Sequence, residues 1–236
     1  MITLEINMMF WTDCLKNSTR ERNVRYAAKK LEELSTYLNS TQKIKCYTNI
    51  YDYSPDRIIE ESIHIPYPPS VYKRSEKINN ILANSSADMF SIIDSDCFIE
   101  SSYYDSLINL IEENGINSCL TFDVLDLDPA TTTEIINTGV SAEQYTTNSR
   151  FPGRAGMLGA FFITNTLNLK KHSGFNTKFT TWGGEDGEIY DKIWRDNEIK
   201  KVQIKKDIIK LFHLNHITDR ENINYFNNEE YVRLNF

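Results

Sequence analysis

The sequence predicts one α/β domain, a Rossmann-like open mixed sheet flanked by helices. Three observations predict it. Apolar, strand-like runs alternate with amphipathic helical stretches through the first half of the chain. Its 236 residues are enough for one sizeable core. And the apolar run in "SIIDSDCFIE" ends in two aspartates, Asp94 and Asp96, at the carboxyl end of a strand. Open α/β sheets bind their ligands beyond that end.

The elements follow in order. "TLEINMMFWT" reads as a largely buried first strand. In "STRERNVRYAAKKLEELSTYLN", Val24, Ala27, Ala28, Leu31, Leu34 and Leu38 recur at helical spacing, with Lys and Glu opposite. "KIKCYTNIY" alternates as a second strand and runs into the turn-rich "DYSPDR". "ESIHIPYPPS" gives a third, short strand closed by prolines. "SVYKRSEKINNILANSS" is a second helix, "DMFSIIDSD" a fourth strand, and "SSYYDSLINLIEENG" a third helix stopped by Gly115. "NSCLTFDVL" is a fifth strand, and Asp123, Asp126 and Asp128 after it read as loop residues. The Thr-rich "DPATTTEIINTGVSAEQYTTNSRFPGR" reads as a long irregular excursion of the kind used as a lid or binding loop. "AGMLGAFFITNTLNLKKHSGF" is a strand and short helix, and "EDGEIYDKIWRD" begins a last helix with Ile189 and Ile193 in phase. No linker or internal repeat interrupts residues 1–236. Residues 1–96 read as a nucleotide-binding half ending in the acidic pair, and 97–236 as an acceptor and metal half.

Composition narrows the function classes. A formal net charge of -7 argues against a broad basic face for nucleic acid. Cys14, Cys46, Cys97 and Cys119 form no CxxC pair, so neither a zinc site nor a thioredoxin-like motif is indicated, and a reduced, cytoplasmic setting is expected. Glu5 and Asn7 interrupt the apolar start, which reads as a strand and not a signal peptide, and no run of ~18 apolar residues predicts a membrane span. Lys200-Lys201 and Lys205-Lys206 suit a peripheral membrane contact; solvated faces explain them equally well.

Three segments carry chemistry. A buried carboxylate needs compensation, so Asp94-Ser95-Asp96 is either a cation site or a pair of exposed turn residues. "LFHLNH" packs two of the chain's four histidines, His213 and His216, three apart after an apolar run. Carboxylate oxygen combined with imidazole nitrogen suits Mn²⁺ better than Ca²⁺. In "TTWGGEDGEIYDKIWRD", Gly183-Gly184 permits close backbone approach and Glu185-Asp186 opens a helix. Acids there also complement the helix dipole, a purely structural role.

In this order the segments resemble the nucleotide-sugar glycosyltransferases of the GT-A fold. "DSD" matches their DxD motif. "GAFFITNTLNLKKHSGF", "WGGEDGE" and "HLNH" resemble consecutive blocks of the β-1,4-galactosyltransferase type and related bacterial transferases, and "YKRSEKIN" resembles the segment before the DxD strand. The likeness runs from about Tyr72 to His216. It implies a UDP-sugar donor, a glycan or glycoconjugate acceptor, and Mn²⁺ (or Mg²⁺) as cofactor. Asp96, His216 and His213 would ligate the metal. Asp94 would contact the donor ribose or sugar, Arg74 and more loosely Arg22 the diphosphate, and Asp52 the uracil. Gly159 and Trp182 would also line the donor site, Trp182 on a closing loop. Asp186 would be the general base, with Glu185 beside it binding acceptor or donor sugar.

Two departures bear on specificity. Gly187-Glu188 follows Asp186 where these galactosyltransferases often carry aspartates, and Met157 stands where an aromatic helps select the donor sugar, so galactose is not implied. Retaining N-acetylgalactosaminyltransferases usually have Asn after the Glu of this block; Asp186 supplies a carboxylate and favours inversion. A retaining transferase, or an inactive nucleotide-sugar or glycan-binding protein, are the alternatives. A phosphohydrolase usually carries its acidic pair after the first strand, and here three strands precede it.

Overall fold

The computed structural model describes residues 1–11, 18–66, 73–149, 159–179 and 184–216. In chain order the first elements are β1 (Ile2–Phe10), α1 (Ser18–Ser40), β2 (Ile44–Asp52), β3 (Ile63–His64), α2 (Arg74–Asn84) and β4 (Met89–Asp94). Then come β5 (Cys97–Ile99), α3 (Tyr104–Asn114), β6 (Ser118–Phe122), β7 (Val124–Asp126), α4 (Pro129–Thr138) and β8 (Asn148–Ser149). β9 (Phe161–Asn165), α5 (Thr166–Lys171), α6 (Glu185–Arg195), β10 (Lys200–Ile204) and β11 (Leu211–His213) complete the described chain.

β1 lies inside a seven-stranded sheet of order β10-β6-β9-β4-β1-β2-β3. It pairs in parallel with β2 and β4, whereas β9 runs antiparallel between β4 and β6, so the sheet is mixed as expected. Successive side chains of a strand face opposite sides. Leu4, Ile6, Met8, Met89 and Ile93 therefore meet Val24, Leu31 and Leu38 of α1 and Leu107 and Ile111 of α3. Met9, Phe90 and Ile92 meet Ile78 and Leu82 of α2 and Ile189 and Ile193 of α6 on the other face. The periodic residues of α1 are the buried ones, as the sequence predicts. β10 is an edge strand, and Lys200 on it, with Lys205 and Lys206 just beyond, is exposed. Charged edges of this kind discourage pairing with another chain.

A second, four-stranded sheet of order β5-β11-β7-β8 packs at the carboxyl end of β4 and β6. It overturns two expectations. The fifth strand is not continuous: it ends at Phe122, passes through Asp123, and re-forms as β7 in the small sheet. Asp123 is the pivot; its N–H donates to Ile204 O at 3.0 Å and its carboxylate accepts from Gln203 Nε2 at 2.9 Å. The Thr-rich excursion is also partly regular, since it begins with α4. Asp128 caps that helix by accepting from the N–H groups of Ala130 and Thr131, each at 2.9 Å, with Pro129 in its first turn. A good cap and a well-placed proline outweigh the modest helix propensity of the threonines. Residues 150–158 of that stretch lie outside the described chain. Among the described residues no helix is long and apolar enough to cross a membrane.

Candidate active site

The chain changes sheets at the acidic pair. Asp94 is the last residue of β4, and its N–H donates to Ala160 O at 2.8 Å. Ser95 and Asp96 turn, and Cys97 opens β5 in the small sheet. There β11 lies between β5 and β7, so His213 stands opposite Cys97 on one side and Asp126 on the other. Leu214 N–H then donates to Asp96 O at 2.9 Å, which draws the next residues back over the acidic turn.

Two histidines consequently close on one carboxylate. His216 Nε2 is 2.9 Å from Asp96 Oδ2, and His213 Nε2 is 3.6 Å from Asp96 Oδ1. The candidate ligand atoms of Asp96, His213 and His216 all lie within 4.8 Å of one another. Burial pushes the Asp96 carboxyl up, but the two imidazoles outweigh it and hold it well below the usual carboxylate range. One carboxylate oxygen and two imidazole nitrogens, converging and nearly buried, fit a divalent transition metal. The nitrogen pair favours Mn²⁺ over Mg²⁺, which prefers oxygen and water.

A second cluster begins two residues earlier. Arg74, the first residue of α2, reaches Asp94 Oδ1 with Nη2 and Glu185 Oε1 with Nη1, each at 2.9 Å; Nη2 also lies 3.4 Å from Gly159 O. The guanidinium fork thus joins the acidic turn to the start of α6. Gly184 precedes that helix with φ 88°, a left-handed conformation that suits glycine. Glu185 is 1% exposed, and its Oε2 is buried with no hydrogen-bond partner among the described residues. Burial, reinforced by the charge of Asp186, pushes the Glu185 carboxyl up to about 7; Arg74 only partly offsets this. Asp186 Oδ1 accepts from Gly187 N–H at 2.9 Å, and its Oδ2 lies against the backbone of Gly159.

Residues 138–217 match the family model described as the N-terminal domain of galactosyltransferase. No curated protein matches the sequence. Among solved structures, GalNAc-T7 with UDP, GalNAc and Mn²⁺ is similar at TM-score 0.55 and 14% identity, over 92% of this chain and 44% of that one. The catalytic domain of Drosophila β1,4-galactosyltransferase 7 with xylobiose is similar at TM-score 0.53 and 16% identity, over 99% and 80% of the two chains. A mutant of that enzyme with manganese, UDP-Gal and xylobiose gives 0.55 and 15%, over the same shares. The chain has the GT-A glycosyltransferase fold. It spans less than half of the GalNAc-T7 chain that it matches.

Within this GT-A domain the sequence-predicted residues divide. Asp94, Arg74, Glu185, Asp186 and Gly159 form one linked cluster, and Asp96, His213 and His216 the adjoining one. Arg74, expected to face a diphosphate, clamps two carboxylates. Asp52 is fully buried, and its oxygens accept from the N–H groups of Ser54 at 2.9 Å and Ile58 at 2.6 Å, which shapes the loop after β2. Arg22 is half-buried on α1, next to Asn23, whose Nδ2 donates to Asn215 O at 3.0 Å, so this end of α1 abuts the His216 segment. Trp182 and Met157 lie outside the described residues.

Two contributors stand outside the sequence-predicted site residues. Asp126 Oδ1 lies 2.9 Å from His213 Nδ1. Asn79 of α2 holds Phe175 at both ends, accepting from its N–H at 2.8 Å and donating to its carbonyl at 2.7 Å. For Asp126 the available signal was its place after a strand, the same rule that singled out Asp94 and Asp96.

Proposed function

We propose that this chain is a metal-dependent inverting glycosyltransferase that moves a hexose or N-acetylhexosamine from a UDP-sugar to a glycan hydroxyl. The observation that carries the reading is the adjacency of the two clusters. A cation site on Asp96, His213 and His216 stands two residues from Asp94, and Asp94 is joined through Arg74 to Glu185 and its neighbour Asp186. The galactosyltransferase segment over residues 138–217 and the complexes of the two structural relatives with UDP-sugar components and manganese support it.

A cation held by Asp96, His213 and His216 would supply Lewis-acid stabilisation of the diphosphate leaving group. The protein's own groups do the rest. Asp94 and Glu185, oriented by one guanidinium, present acceptors for the hydroxyls of the donor sugar. The unpartnered Oε2 of Glu185 is a buried acceptor that a sugar hydroxyl satisfies. Asp186 takes the proton of the attacking acceptor hydroxyl, a role typically worth ~10²–10⁴ in rate. In-line attack from that side inverts the anomeric centre. Residues 1–96, ending in the acidic pair, hold the nucleotide, 97–236 supply the acceptor side and the two histidines for the metal, and a cytoplasmic location, suggested by the dispersed cysteines, belongs to the same proposal.

The test is transfer from UDP-hexoses and UDP-N-acetylhexosamines to a panel of glycans with Mn²⁺, followed by NMR of the product anomer. An inverted product, with transfer lost in Asp186→Asn, is expected. Undiminished transfer by Asp186→Asn removes the base. A retained configuration favours the second reading, a transferase of the GalNAc-T7 type, which the structural likeness to that enzyme motivates.

A further inference from the structure

We propose that Asn23 of α1 and Thr132 of α4 are positioning residues for the cation site. Together they clamp the backbone of Asn215 and so set His216 beside Asp96. The inference rests on the metal reading above and adds to it two residues that are not ligands.

His216 needs such a clamp because it stands beyond the strand that carries its neighbour. β11 ends at His213, which the ladders to β5 and β7 hold on both sides. Each ladder extends by one more bond, Leu127 N–H to His213 O at 3.0 Å and Leu214 N–H to Asp96 O at 2.9 Å. Past that point two side chains replace the ladder. Asn215 N–H donates to Thr132 Oγ1 at 2.9 Å, and Asn215 O accepts from Asn23 Nδ2 at 3.0 Å. The peptide groups on both sides of Asn215 are thereby tied to two different helices, and the second of them is the planar unit that leads into His216. From there the His216 ring lies 5.2 Å from that of His213, with Nε2 2.9 Å from Asp96 Oδ2.

Stability alone does not account for these two polar side chains. Asn23, Ala27 and Leu31 recur at every fourth position on the buried face of α1, where an apolar residue and a better helix former would serve. Asn23 is 0% exposed and Thr132 1%. The Asn23 amide is satisfied at one end only: its Oδ1 is buried with no hydrogen-bond partner among the described residues. An orphaned buried acceptor costs about as much as one neutral hydrogen bond returns. What the amide does supply is a fixed donor for Asn215 O.

The experiment titrates Mn²⁺ alone into the full chain, as wild type, Asn23→Ala, Thr132→Val, Thr132→Ser and Asp96→Ala, following free ion by electron paramagnetic resonance. Melting curves and amide hydrogen exchange of the metal-free proteins accompany it. Asn23→Ala and Thr132→Val are each expected to bind Mn²⁺ about tenfold more weakly, the low end of what the outer partners of a ligand contribute. Their melting temperatures should stay close to that of wild type, and the Asn215 amide should exchange faster in Thr132→Val. Thr132→Ser keeps the hydroxyl and should bind like wild type. A merely structural role would instead lower the melting temperature and leave the affinity of the folded protein unmoved. If Asp96→Ala abolishes binding while Asn23→Ala and Thr132→Val stay within about threefold of wild type, the positioning role is overturned and the ligand set stands. Should one of the two not fold, the other decides by the same criterion. An Asn215 amide that exchanges in wild type as fast as in an unstructured chain overturns the clamp without any variant. Mn²⁺ binding that is absent in wild type, or that survives in Asp96→Ala, overturns the metal reading and, with it, this inference.

Discussion

The carboxylate of Asp186 rests against the backbone of Gly159 so closely that a β-carbon there would overlap Oδ2 and stand 3.4 Å from Cγ. The obstructed atom is the far end of a side chain, so the chain can relieve the overlap by swinging the carboxylate away. Gly159→Ala is therefore expected to fold with almost unchanged stability and to lose the position of the proposed base. Its kcat should fall ~10²–10⁴, like that of Asp186→Asn, and the double variant should be little worse than either single one. Thermal melts with steady-state kinetics check both halves; a destabilised but fully active variant would contradict the placement.

The pairing of Asp96 with His213 and His216 predicts a metal-dependent thermal shift. At a hundred times its dissociation constant a ligand stabilises the native state by about 2.7 kcal/mol. In a chain of this size that is roughly 5–10 °C. Wild type with Mn²⁺ and UDP should show such a shift, and Asp96→Ala should not. Differential scanning fluorimetry reads it, and a shift that survives in Asp96→Ala would move the cation elsewhere.

The parts of this architecture that local pattern could reveal are those whose cause is local. Val24 to Leu38 mark α1 by their spacing, and Asp94 and Asp96 announce themselves by ending an apolar strand. The approach of His213 and His216 to Asp96 followed from a family resemblance, since nothing in their spacing says that residue 96 lies beside residue 213. Asp126 escaped because its partner is set by strand register in a sheet whose strands are three residues or shorter. Such strands are too brief for alternation to show. Asp52 shows the limit of the strand-end rule. A strand-end aspartate looks the same in sequence whether it faces a ligand or, as here, its own loop. In the Thr-rich stretch, composition spoke for a loop while the Asp128-Pro129 start spoke for a helix, and the cap prevailed.

Asn79 ties α2 to the turn before the Glu185-Asp186 segment, because its amide satisfies both polar groups of Phe175. Asn79→Ala leaves an N–H and a carbonyl without this partner in a partly buried place. Each such group costs about 1–3 kcal/mol, so a loss of roughly 2–6 kcal/mol is expected in urea denaturation. Asn79→Asp retains an acceptor for Phe175 N–H but sets a carboxylate against Phe175 O, and should recover less than half of it. A neutral Asn79→Ala would mean that the turn is held by other contacts.

The buried carboxyl of Glu185 makes stability depend on pH in a stated direction. Its pKa is near 4.5 when the chain is unfolded and about 7 in the folded protein, raised by burial and by Asp186 and only partly offset by Arg74. Between those values the folded state holds a proton that the unfolded state has released. Unfolding then releases protons, so stability falls as pH rises through this window. The contribution is fully present below about pH 4.5 and gone above about pH 7. At 1.36 kcal/mol per unit, the ligand-free wild type should lose about 3 kcal/mol relative to Glu185→Gln between pH 4.5 and 8. Gln preserves the shape and an oxygen for Arg74 but does not titrate. Paired melting curves of the two proteins across that range measure the difference directly. A gap that stays constant with pH would mean that Arg74 keeps Glu185 ionised throughout.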